Sequence, residues 1–158
     1  MILLNIFLYL TSIYSHTLLD RIESNPNLTT FLEVIELIGI NTTLSNTLSN
    51  TSTYTVVAPS NDAFNKLPSE TFEHLLYPEN KWLLEDIVNY HFISGTIYKK
   101  CLLDNERLKT LQGKYLDIHK KDPSIYFNNA KLITSDINAS NGVLHIIDTL
   151  LDPYNNIL

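Results

Sequence analysis

Apolar positions change their rhythm midway along the chain, from the three-and-four spacing of amphipathic helices to the alternation of strands. Leu18, Leu19 and Ile22 predict a helix over residues 17–23, and Phe31, Val34, Ile35 and Ile38 predict another over 29–38 that Gly39 ends. Ser69 reads as the cap of a short helix holding Phe72, Leu75 and Leu76, which Pro78 stops. The most regular helical stretch is 79–91, where Leu83, Ile87 and Tyr90 form one stripe and Leu84, Val88 and His91 the next. Gly95 breaks that pattern. Strand-like segments follow at 109–111, 115–119, 125–128, 131–137 and 143–147, divided by Gly113, Pro123, Asn129 and Asn141-Gly142. Helices first and strands afterwards predict an α+β fold, with N-terminal helices packed against a mostly C-terminal set of strands.

Two segments combine a strand with sharp changes of chain direction. Tyr54 to Val57 carries β-favouring side chains, and Pro59, having no N–H for a ladder, ends the strand and leaves Ser60 to cap a helix starting at Asn61. Asp62 then lies at the positive end of the helix dipole, while Phe64 and Leu67 turn inward. In the second segment Asn141-Gly142 is a turn signal, and Val143 to Ile147 is apolar on both faces, as in a strand covered from two sides.

These two boxes, Thr55-Val56-Val57-Ala58-Pro59-Ser60-Asn61-Asp62-Ala63-Phe64 and Asn141-Gly142-Val143-Leu144-His145-Ile146-Ile147-Asp148, resemble the signature boxes of the fasciclin I (FAS1) domain, an extracellular adhesion module. Family members usually have Phe at the position of Val57 and Thr at that of Ser60. The stretch 83–95, with its Tyr90-His91 pair and glycine turn, is similar to the family's middle helix, and 110–114 and 128–132 are similar to its later strands. The resemblance spans about His16 to Pro153, so it implies a single fasciclin domain at 16–153 with a short tail at 154–158. There is no internal repeat, which leaves no avidity from linked copies within one chain.

A chain of 158 residues, 44% hydrophobic, is enough for one core without a metal or disulfide staple. The net charge of -6 argues against a polyanionic partner such as nucleic acid, and Lys99-Lys100 and Lys120-Lys121 read as isolated pairs. Residues 1–15 are an uncharged apolar run closed by Ser15, read as a secretory signal and shorter than the about 20 residues of a comfortable span. Four sequons, at Asn27, Asn41, Asn50 and Asn138, fit a glycosylated, secreted protein. Cys101 has no partner for an internal disulfide; the sequence favours a buried thiol facing the core beside Leu102 and Leu103 over an exposed reactive one. The composition, rich in Asn, Ile, Leu and Tyr, suits an AT-rich genome such as that of a virus or parasite.

No nucleophile elbow, phosphate-binding glycine loop or zinc-type histidine spacing occurs, so no catalytic residue, metal or cofactor is expected. The five histidines are scattered. His91, ending a helix, and His145, in a two-sided apolar strand, read as scaffold groups needing buried hydrogen-bond partners. The fasciclin resemblance implies two partner-binding segments. Tyr90-His91 matches a Tyr-His motif implicated in integrin binding by vertebrate matrix relatives, and Asp136-Ile137 matches the Asp-Ile core of a second integrin motif. An exposed Asp136 could ligate a receptor-bound divalent cation, or it could cap a turn leading into Asn138. Asn138 stands where integrin-binding relatives have Met. The expected function is adhesion, or modulation of adhesion, through a cell-surface receptor or matrix protein. The alternative is a small-molecule or catalytic pocket between helices and sheet using Tyr90, His91 and His145.

Overall fold

The computed structural model describes residues 16–39 and 52–156. The expected signal segment, the last two residues and the sequons at Asn41 and Asn50 lie outside the described residues. Helix α1 (Leu18–Glu23) opens with a capping box, in which Thr17 accepts from the Asp20 amide and Asp20 accepts from the Thr17 amide. Helix α2 (Thr29–Ile38) ends at Gly39 in the left-handed region, as the pattern predicted. After β1 (Tyr54–Pro59), the Ser60 hydroxyl accepts from the Ala63 amide and starts α3 (Asn61–Asn65). Helix α4 (Ser69–Leu75) begins at Ser69 with Pro68 in the cap position, so Ser69 is its first residue and not its cap. Pro78 opens a 3-10 turn at Pro78–Asn80 that feeds straight into α5 (Lys81–Tyr90).

The strands are β1, β2 (Phe92–Ser94), β3 (Arg107–Lys109), β4 (Tyr115–Lys121), β5 (Ser124–Phe127), β6 (Ala130–Ala139) and β7 (Gly142–Ile147). They form one seven-stranded sheet in the order β2-β1-β7-β6-β5-β4-β3. The sheet curls until its ends meet, through an Ile93–Thr110 bridge and a hydrogen bond from the Leu111 amide to the Phe92 carbonyl. Val57, Leu116, Ile118, Phe127 and Ile147 fill the inside of the curl. Outside it, Val56, Ala58, Leu144 and Ile146 pack against Leu18, Phe31, Ile35, Phe64, Leu84 and Val88 of the helices. Strands β1 and β7 are therefore buried on both faces, which is why their sequences do not alternate. They pair in parallel, Val56 opposite Leu144. Only glycine fits where this pairing begins: at Gly142 φ is +150°, and a Cβ would stand 1.8 Å from the Tyr54 carbonyl oxygen.

The strand expected at 109–111 instead spans Arg107–Lys109, and two further expectations need correction. The short strand β2 directly follows α5, where the pattern suggested only a helix end and a turn, because three residues are too few to show a period. Cys101 is exposed, at the end of a 3-10 turn (Lys99–Cys101), and so is its neighbour Leu103; the turn directs Leu102 alone of the three into the core.

Candidate functional site

Tyr90 and His91 are adjacent in sequence but point to opposite sides of the curled sheet. Tyr90 packs among the residues inside it and is 4% exposed. Its hydroxyl donates to the Tyr115 carbonyl at 2.7 Å and accepts from Asn128 Nδ2 at 3.0 Å. Burial pushes its pKa above the ordinary tyrosine value. The hydroxyl forms the floor of a polar groove of about 620 Å³, edged by Arg107, Tyr115, Asp117, His119 and Lys114.

His91 is fully buried on the helix side, its ring 6.0 Å from that of Phe31. As the residue closing α5, it donates from Nδ1 to the Ile87 carbonyl at 2.8 Å. Its Nε2 accepts from the Leu151 amide at 3.1 Å. The neutral ring is thus satisfied at both nitrogens. A second proton would face an N–H donor inside an apolar core, and burial accordingly lowers the pKa to about 4.

His145 occupies β7 and is also fully buried, with its ring 6.3 Å from Phe127 inside the curl. It uses the opposite tautomer: Nε2 donates to the Ile97 carbonyl at 2.8 Å, and Nδ1 accepts from the Asp136 amide at 3.2 Å. Burial lowers its pKa as well, against the opposing effects of the Ile97 carbonyl and the Asp136 carboxylate. The two histidines therefore share no pocket. Each is committed to a separate internal network, an arrangement suited to holding backbone segments together and not to proton transfer with a ligand.

Asp136 stands where β6 gains extra residues against β7: Thr134 pairs with Ile146 and Ile137 with Leu144, leaving Asp136 in a bulge with φ +61°. The bulge takes its amide out of the ladder, and His145 accepts it instead. The Asp136 side chain is 39% exposed, and its Oδ1 accepts from the Lys99 amide at 2.8 Å, capping the 3-10 turn that carries Cys101. Neither the reach of this carboxylate across to residue 99 nor its link to His145 is visible in the local sequence. The only local hint is the aspartate itself, one of the few residues besides glycine that tolerates a left-handed backbone. Ile137, half-buried, packs against the helix-side core. Asn138 is exposed in β6, its carbonyl accepting from Arg21 Nε, and Asn27 is exposed in the 3-10 turn before α2. Of the four predicted partner-binding residues, Tyr90 and His91 are buried while Asp136 and Ile137 are partly exposed, and the fold brings Lys99 beside Asp136.

The Fasciclin domain family model matches residues 26–153. The chain is 42% identical over 106 residues to Protein sll1483 of Synechocystis sp., an alignment covering 67% of this chain and 58% of that protein. It is 33% identical over 134 residues to transforming growth factor-beta-induced protein ig-h3 of Sus scrofa, covering 84% of this chain and 19% of that protein. The chain thus spans well under two thirds of these relatives. Among solved structures, a FAS1 domain pair from the insect cell adhesion molecule fasciclin I superposes with a TM-score of 0.79 at 18% identity, over 92% of this chain and 53% of that one. That likeness establishes the fold.

Proposed function

This chain belongs to the fasciclin-domain family, and from that premise we propose that it is an exported adhesion or adhesion-modulating module that meets a cell-surface or matrix partner without performing chemistry. Asp136 centres the proposed contact. The observation that carries this reading is the constrained yet accessible carboxylate: a bulge and a buried histidine hold its backbone, and one oxygen is committed to the Lys99 amide. A carboxylate has further lone pairs, and its oxygen is a natural ligand for a hard cation held by a receptor. The fold it shares with a FAS1 domain pair from an insect cell adhesion molecule is compatible with the same reading. Tyr90 and His91 serve it from within, by holding the sheet and helices in place. A glycan on Asn138, two residues from Asp136, would modulate access.

Purified glycosylated protein coated on plastic is expected to support cell attachment that chelation of divalent cations abolishes. Asp136→Asn is the discriminating variant, because asparagine tolerates the same backbone and can still accept from the Lys99 amide while losing the charge. Attachment should fall with Asp136→Asn and rise with Asn138→Gln. Undiminished attachment by Asp136→Asn would remove the carboxylate from the contact.

A further inference from the structure

The charges of this acidic protein are segregated. Residues 99–131 hold eight of the eleven Lys and Arg but only four of the 17 Asp and Glu, a local balance of +4 against -10 for the remainder. Strand register concentrates part of this excess on one surface. Lys109 lies opposite Tyr115, Arg107 opposite Asp117, His119 opposite Tyr126, and Tyr126 opposite Lys131. Directly opposed residues of an antiparallel pair share a face, and their strand neighbours Leu108, Leu116, Ile125 and Phe127 are buried on the other. The outward face therefore presents Arg107, Lys109, Lys121 and Lys131 around two tyrosines. Its carboxylates are already engaged: Asp117 pairs with Arg107 at 3.1 Å, and Asp148, at the Lys131 edge, accepts from the Lys131 amide and pairs with Lys66.

We infer that this open face of β3, β4 and β5 binds an acidic polysaccharide, a chain of sugars bearing sulfate or carboxylate groups. Lys109 and Lys121 stand at opposite ends of β4's length, about 20 Å apart at the usual rise per residue. That spacing suits a repeating anion and not a single small one. Arg107 stacks 4.8 Å from the Tyr115 ring, and Lys121 lies 5.7 Å from that of Tyr126. Such pairs hold the cations flat against the surface while leaving their remaining N–H groups for anionic oxygens. The polar groove over the Tyr90 hydroxyl adjoins this face and adds His119 and the remaining N–H groups of Lys114, one of which donates to the Pro153 carbonyl. Nucleic acid is the weaker fit. The rings that would stack on bases already carry cations, and a broad duplex would overlap the acidic remainder of the molecule.

Because the test uses purified glycan and no cells, its outcome is independent of the receptor contact at Asp136. Whole glycosylated protein is passed over immobilised heparin, used as the probe, at rising salt. Binding is expected, weakening steeply with salt as counterions compete. The double variant Lys109→Glu/Lys121→Glu should lose about tenfold or more in affinity, whereas Lys81→Glu, at the exposed first residue of α5, should change it by less than about twofold. Thermal melts matching the parent protein would show that both variants fold. Neutral dextran should not bind. Failure of the parent protein to bind heparin at low salt, or a double variant that binds like the parent, would overturn the inference. So would equal affinity for a single-stranded oligonucleotide of matched charge, which would make the face a general polyanion surface.

Discussion

The curled sheet has two walls that differ in what covers them. On the β1–β7 wall, helices bury the outer face, so Val56, Ala58, Leu144 and Ile146 are as deep as the residues inside the curl. On the β3–β5 wall the outer face meets solvent, and apolar residues alternate with Arg107, Lys109, His119 and Lys121. The same architectural element is thus scaffold on one side and available surface on the other. The two histidines mark the distinction. His91 joins helix α5 to the segment after β7 within the covered wall, and both its partners are core backbone. His145 reaches from the core to a bulge and a loop that are open to solvent, so its loss alters a surface as well as a core.

The sharpest way to break this comparison is to make one substitution at both histidines. His91→Leu fills the volume but leaves the Ile87 carbonyl and the Leu151 amide without partners in a closed core. A loss of about 3 kcal/mol is expected, measured by denaturant unfolding. Acid should produce a similar change without mutation. Above pH 6.5 His91 is neutral in both folded and unfolded states. As pH falls the unfolded chain takes the proton first, because the folded pKa is held at about 4. Stability therefore declines between about pH 6.5 and 4, by up to about 3 kcal/mol from this group, and its contribution levels off below. His145 shifts in the same direction. His91→Leu should remove the His91 share of that decline and leave the His145 share; an unchanged pH profile would refute the assignment.

A smaller effect is expected of His145→Leu, about 2 kcal/mol, since water can reach the freed groups from the loop side. Its distinguishing readout is local: amide exchange at Asp136 and Lys99 should accelerate while exchange in α5 keeps its relative protection. Uniform acceleration across the protein would make His145 no different from His91. Lys109→Ser, on the open wall, should move stability by no more than about 0.5 kcal/mol. A large loss there would show that the outer face is part of the scaffold.

Much of the scaffold was legible because short-range chemistry dictates it. The Ser60 cap and the left-handed Gly39 each depend on residues only a few positions apart. The run Val143–Ile147, apolar throughout, announced a strand buried on both faces. Less of the site could be read. Asp136 was recognisable as a candidate, yet its bulge arises from the register of β6 on β7, and its partners lie 9 and 37 residues away in sequence. Cys101 was misjudged for a related reason: its exposure is set by how a single 3-10 turn docks, and a turn has no period to reveal its inward side. The cations of the open wall looked like scattered pairs until strand pairing brought Lys109, Lys121 and Lys131 onto one face.

By itself, then, the sequence determined most of the elements, the helix boundaries at Ser60 and Gly39, the two-sided central strands and the family to which the chain belongs, because hydrophobic period and capping chemistry act over a few residues. Tertiary structure alone decided which histidine faces which core, where Asp136 is held, and that a chain of negative net charge carries a basic wall. Those properties depend on register and on the closing of the sheet, which join residues that no local pattern connects.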